Sequence, residues 1–197
     1  EAKEWGADGA LVVVPYYNKP PQRGLIAHYK MVAEASSLPV LLYNVPGRTI
    51  TKLDLETIVE LSKVKGIVGI KEASGDIEFD KQIRAKTGSE FLLTTGDDRT
   101  YVEFLQAGGN GVISVASHIL PVEFVRWARK VSENDKNVAE DFKKYRELID
   151  FLFVESNPIP VKMALHLLGI IESPELRLPL VALESDKTNE LRSKMKA

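Results

Sequence analysis

The chain has 197 residues, with 26 Lys and Arg against 28 Asp and Glu, a formal net charge of -2; this length suits one domain better than two, and the balanced charge gives no reason to expect a nucleic-acid or anionic-membrane partner. Hydrophobic residues make up 44% and charged residues 27%, the composition of an ordinary globular chain, and there is no cysteine, which excludes disulfides, thiolate nucleophiles and cysteine-based metal sites. No apolar run reaches membrane-spanning length and nothing resembles a signal peptide, so the cytoplasm is the default expectation.

In chain order, Glu1–Gly9 reads as the last turn of a helix with Gly6 as its stop signal. Five short, β-branched, nearly all-apolar runs then recur: 10–14, 40–43, 66–70, 91–95 and 111–115. Continuous rather than alternating apolar character means burial on both faces, as parallel strands covered by helices require. Between them lie segments with helical spacing, marked by Ile26, Tyr29, Val32 and Ala33, by Leu55, Ile58, Val59 and Leu61, and by Tyr101, Phe104 and Leu105. The pattern is a βα repeat.

A doubly wound open sheet and a (β/α)8 barrel both fit such a repeat. Polar residues at the end of nearly every strand, and the lack of a Gly-x-Gly-x-x-Gly turn, favour a TIM barrel. An eight-stranded barrel typically takes about 250 residues, so five βα units predict an incomplete barrel, with three units expected ahead of residue 1. The partial barrel is expected over 1–131. A C-terminal helical appendage follows over 132–197, with helices predicted at 136–151, 158–168 and 185–196 after a last barrel helix at 121–131.

Several strand ends carry chemistry. Lys71 closes the run Gly66–Ile70; desolvated above an apolar barrel, its neutral amine is favoured and can attack a carbonyl, although a strand-end lysine can equally snorkel to solvent. Tyr43 closes the run at 40–43 and could shuttle protons, or serve as a core aromatic. Arg48, after Pro46-Gly47, could clamp a carboxylate from a turn, or be a solvated loop arginine. Tyr16 and Tyr17 leave the first strand, where neighbouring side chains point opposite ways. Asp97-Asp98 could bind a divalent cation, but Asp98 reads better as the N-cap of the following helix. Gly108-Gly-Asn-Gly111 precedes a strand rather than opening a helix, so it reads as a tight αβ loop and not a phosphate cradle. His28, His118 and His166 lack metal-ligand spacing, and no metal site is expected.

Six segments stand in order: Pro15-Tyr-Tyr-Asn-Lys-Pro20, Leu42-Tyr-Asn-Val-Pro-Gly-Arg-Thr49, Gly69-Ile-Lys-Glu-Ala73, Thr95-Gly-Asp-Asp98, Gly108-Gly-Asn-Gly-Val-Ile-Ser114 and Asn157-Pro-Ile-Pro-Val-Lys162. Together they resemble the dihydrodipicolinate synthase branch of the dihydrodipicolinate synthase / N-acetylneuraminate lyase family, over essentially the whole chain. The resemblance implies that Lys71 forms an imine with pyruvate, then an enamine that attacks aspartate semialdehyde to give 4-hydroxy-tetrahydrodipicolinate, in lysine and diaminopimelate biosynthesis. It implies no cofactor beyond that covalent imine. Tyr43 matches the proton donor and acceptor, and Tyr17 a relay tyrosine that reaches a neighbouring subunit's site, in a homodimer or homotetramer. Arg48 matches the arginine that receives the semialdehyde carboxylate. The Ile113 carbonyl matches a pyruvate contact, Gly96 lies near the second substrate, and Tyr16 matches a residue of the lysine-inhibition cleft. The family's Gly-Thr-Thr-Gly-Glu segment, with its relay threonine, is expected on a strand ahead of residue 1.

Three other readings stay open beside this one. A sialic-acid or keto-sugar-acid lyase of the same fold would want hydroxyl-binding side chains where Arg48 stands. A non-catalytic fragment with a relict site is the alternative from another class, and a metal-dependent barrel enzyme is the remotest.

Overall fold

In a computed structural model, residues 1–196 are described, and they fall into two compact units, Glu1–Ile113 and the part from Ser114 onward. The sequence places the end of the barrel portion at residue 131; by contacts the change comes earlier, so the helix at 121–132 groups with the C-terminal helices.

The first unit is a five-stranded, all-parallel sheet in the order β1-β2-β3-β4-β5. Its strands are β1 (Ala10–Val13), β2 (Val40–Asn44), β3 (Ile67–Glu72), β4 (Leu92–Thr95) and β5 (Gly111–Val112). The connecting helices are α1 (Gln22–Ser36), the single turn α2 (Pro46–Thr49), α3 (Leu55–Leu61), α4 (Ile77–Thr87) and α5 (Tyr101–Gln106). Each strand pairs with the next in sequence, which is the connectivity of a barrel rather than of a doubly wound sheet. The expected incomplete (β/α)8 barrel is what the chain forms, with the helical portion after it.

The two faces of the sheet differ. On the helix side, Val40, Leu42, Ile67, Ile70 and Leu93 pack with Leu25, Tyr29 and Ala33 of α1, Ile58 and Leu61 of α3, Ile83 of α4 and Phe104 of α5. The i, i+4, i+8 spacing of Leu25, Tyr29 and Ala33 gives α1 one apolar stripe, all of it buried. On the other face, strand register sets two rows: Leu11, Leu41, Gly69 and Leu92, then Val13, Tyr43, Lys71 and Thr94. Leu11 and Leu92 are each 45% exposed, so apolar side chains line a face that this chain does not itself cover. Gly69 is required in the first row, because a Cβ there would stand 2.2 Å from the Leu92 carbonyl oxygen.

The Gly108–Gly111 segment is the tight αβ loop expected. Asn110 brackets Leu93: its N–H donates to the Leu93 carbonyl at 2.8 Å, and its Oδ1 accepts from the Leu93 N–H at 2.9 Å. Arg84 of α4 donates to the same Oδ1 at 2.6 Å, and to the Phe91, Gly88 and Gly108 carbonyls.

The second unit contains α6 (Pro121–Ser132), α7 (Val138–Lys143), α8 (Arg146–Phe151), α9 (Ile159–Leu167) and α10 (Ser185–Lys194). Proline at the first position opens α6. The fully buried Trp127 meets Phe124, Phe142 and Tyr145 edge-on, with ring centroids 5.1, 4.8 and 5.4 Å away. The helix expected over 136–151 is two helices, broken at Lys144-Tyr145. No helix among the described residues is long and apolar enough to cross a membrane.

Candidate active site

The C-terminal ends of β2, β3 and β4 converge on Lys71. Lys71 is 9% exposed, and its Nζ lies over the face of Tyr43, 4.3 Å from the ring centroid. The two residues are register partners on β2 and β3, so the contact follows from strand pairing rather than from a loop conformation. Gly96, the residue after β4, leaves the room that Lys71 fills: a Cβ there would lie 2.6 Å from Lys71 Cε and 2.7 Å from Ala73 Cβ.

Burial pushes the Lys71 amine below its ordinary pKa, the negative charge of Asp98 opposes that shift, and the positive charge of Arg48 adds to it. Tyr43 is shifted up by burial, with Arg48 pulling the other way. Arg48 thus acts on both groups from α2. Its turn is fixed by Thr49, whose hydroxyl donates to the Val45 carbonyl at 3.0 Å and the Thr51 carbonyl at 2.7 Å. The expected Pro-Gly turn is therefore a full helical turn, with Arg48 exposed on it. Ile113 follows β5, and its N–H donates to the Thr95 carbonyl at 3.0 Å, which sets it one strand beyond Gly96.

Asp98 corrects the sequence reading. It does not cap α5: the residue before that helix is Thr100, while Asp97 accepts from the Thr100 hydroxyl at 3.0 Å. Asp98 instead begins a short 3-10 turn over Asp98–Thr100, fully buried, where its charge bears on Lys71. Tyr16 and Tyr17 stand apart from this cluster in the loop after β1, 64% and 93% exposed. Strand alternation does not reach them, because β1 ends at Val13 and Tyr17 adopts φ +62°. Among the described residues no group of three or more His, Asp or Glu side chains is arranged to hold a metal ion.

Sequence reasoning passed over Asn44 and Glu72, the residues directly after Tyr43 and Lys71. Both are 1% exposed, and the Asn44 amide donates to Glu72 Oε2 at 2.6 Å. Polar residues at strand ends read as site or solvent residues; only the register of β2 against β3 shows that these two meet.

A desolvated lysine amine at a strand end, with a tyrosine beside it and a parallel βα frame around it, is the arrangement of the Schiff-base-forming, class I aldolase barrels. The chain matches the dihydrodipicolinate synthetase family over residues 1–197, and it belongs to that family. It is 59% identical over 197 residues to the 4-hydroxy-tetrahydrodipicolinate synthase of Bdellovibrio bacteriovorus, covering 100% of this chain and 67% of that one. It is 47% identical to the protein of the same name from Fervidobacterium nodosum, covering 99% and 67%. Among solved structures, dihydrodipicolinate synthase from Thermotoga maritima superposes with a TM-score of 0.95 at 42% identity, covering 99% of this chain and 68% of that one. The chloride-inhibited enzyme from Acinetobacter baumannii, complexed with pyruvate, gives 0.94 at 43% identity, covering 99% and 67%. The chain spans about two thirds of the length of these relatives.

Proposed function

We propose that the protein carrying this chain condenses pyruvate with aspartate semialdehyde to 4-hydroxy-tetrahydrodipicolinate, with Lys71 as its covalent catalyst. The observation that carries this is Lys71 itself: buried at a strand end, depressed in pKa and seated over Tyr43. The neutral amine adds to the pyruvate ketone, water leaves, and the resulting imine loses a methyl proton to become an enamine. The enamine carbon attacks the semialdehyde. The imine is the electron sink, so the reading calls for no separate cofactor.

Tyr43, whose ring lies against the amine, is the proton donor and acceptor for the carbinolamine and imine steps. Gly96 keeps the space that the lysine and the second substrate share. The Ile113 carbonyl, one strand further on, is assigned as a contact for bound pyruvate. Arg48 receives the semialdehyde carboxylate, and this separates the reading from a sugar-acid lyase, whose polyol aldehydes offer no carboxylate at that point. Tyr17, exposed on its loop, is the group assigned to a neighbouring copy's proton relay, which makes the working enzyme a homodimer or homotetramer. Tyr16 beside it is assigned to an inhibitor cleft.

The test is to offer the full-length gene product pyruvate with aspartate semialdehyde and, separately, with neutral sugar aldehydes. Consumption of the semialdehyde pair alone is expected. Preference for the sugar aldehydes would favour the lyase reading, and no turnover with either would favour a relict site.

A further inference from the structure

We propose that Glu72 and Asn44 form a buried clamp that holds Lys71 over Tyr43, with both acting as positioning residues for imine formation. The proposal rests on the imine reading above and extends it to residues that do not touch substrate.

The need for a clamp follows from the strands. β2 and β3 do not run in continuous register: the pairing shifts between Val40 and Leu41, so alignment at the N-terminal ends does not fix it at the C-terminal ends, where Tyr43 meets Lys71. The next rung is Asn44 against Glu72, and successive side chains point to opposite faces of the sheet. The clamp therefore closes behind the reactive pair. Asn44 Nδ2 donates to Glu72 Oε2 at 2.6 Å, and Asn44 Oδ1 accepts from the Leu53 N–H at 3.0 Å. Glu72 Oε1 accepts from the Ser74 N–H at 2.5 Å. The backbones lock with them: the Ala73 N–H donates to the Asn44 carbonyl at 2.9 Å, and the Gly96 N–H to the Glu72 carbonyl at 2.7 Å.

Four segments are tied at one point: the ends of β2, β3 and β4, and the loop between α2 and α3. Those ends carry Tyr43, Lys71 and Gly96, and Lys71 lies over the Tyr43 ring and fills the space left at Gly96. An ordinary buried carboxylate satisfying loop amides would need only the Ser74 bond; the bond to Asn44, across the strands, is what couples Glu72 to the reactive pair. Burial raises the Glu72 carboxyl above its usual range, while the bonds from Asn44, Ser74 and Ala73 act against that rise.

The bond has a polarity that can be reversed. In Glu72→Gln, with its oxygen kept on the Ser74 N–H, the new amide faces the Asn44 amide, donor against donor. Asn44→Asp sets two carboxylates together. The double variant N44D/E72Q restores every bond with the roles exchanged, since a carboxylate at position 44 can accept both from the Leu53 N–H and from the amide introduced at position 72. The experiment is the rate of borohydride-trappable imine formation at saturating pyruvate in the full-length protein, with thermal stability read in parallel. Each folded single variant should trap roughly tenfold or more slowly, with little change in the pyruvate concentration for half-maximal rate, and the double variant should recover most of the rate. Single variants that trap at the unaltered rate, or a folded double variant as slow as the singles, would overturn the clamp. If the singles do not fold, Asn44→Ser, which cuts the link but leaves Glu72 bonded to Ser74, must show the slow trapping; an unaltered rate there overturns it equally. Absence of any adduct in the unaltered protein would overturn the imine reading, and the clamp with it.

Discussion

Lys71 Nζ stands 4.3 Å from the centre of the Tyr43 ring, and the two residues occupy the same rung of adjacent parallel strands. On the proposed mechanism the nucleophile and its proton partner therefore meet through the pairing of two strand ends rather than through loop closure. What remains adjustable is charge, and two charged residues act on the lysine in opposite directions.

Asp98 holds the Lys71 pKa up against burial. In Asp98→Asn the amine should lose its proton more easily, so the rising limb of imine formation against pH should move to lower pH. Arg48→Ala removes an influence that lowers the pKa and should move the same limb to higher pH. Trapping rates measured across the pH range check both signs; a shift in the same direction in both variants would contradict the electrostatic assignment.

Arg48→Ala should also separate the two half-reactions. Loss of a charge-assisted clamp costs roughly 1.5–3 kcal/mol, and it should fall on turnover of aspartate semialdehyde rather than on trapping of the pyruvate imine. Equal losses in both assays would assign Arg48 a structural role.

Gly96→Ala places a methyl group 2.6 Å from Lys71 Cε and 2.7 Å from Ala73 Cβ. The lysine can swing away but Ala73 cannot, so about 1–3 kcal/mol of stability should be lost, as in other overpacked sites, and trapping should slow. Replacing Ala73 by Gly in the same chain should recover part of the stability while the lysine stays displaced. Unaltered trapping in Gly96→Ala would mean that the lysine works from another rotamer.

Asp80 on α4 is 2% exposed, and its Oδ1 has no hydrogen-bond partner among the described residues. Burial, together with the negative charges of Glu72, Asp76 and Asp97, pushes its pKa from 3.8 up to about 8. A folded pKa above the unfolded one means that the folded chain holds the proton longer, so stability falls as pH rises between those two values and the penalty is complete above the upper one. Asp80→Asn removes that penalty, which is on the order of several kcal/mol. It should raise the melting temperature clearly near pH 8 and little near pH 4. Equal effects at both pH values would show that Asp80 is ionised throughout.

Much of the frame is legible in the sequence because parallel strands with helices on one face and an apolar barrel lining on the other leave continuous apolar runs, and β1 to β4 fall within two residues of those runs. The second face is only partly buried here, with Leu11 and Leu92 each 45% exposed. The fifth run is longer than its strand. Ile113-Ser114-Val115 has strand composition, but the backbone leaves the sheet after Val112, and a 3-10 turn follows at Ala116–His118. The single turn α2 is hidden because Pro46-Gly47 reads as a loop signal, although proline suits a helix's first position. Lys71 and Tyr43 are visible as unusual residues on strand ends. Asn44 and Glu72 are not, and Asp98 is visible only as a cap, since the burial of all three depends on register and on partners distant in sequence.

The measurement that tests the central claim most directly is reductive trapping with peptide mapping. The full-length protein is incubated with pyruvate and borohydride, digested, and the modified peptide located by mass. A single reduced adduct on Lys71, lost in Lys71→Arg, is the expected result. An adduct on another lysine such as Lys19 or Lys162, or turnover without any adduct, would contradict it.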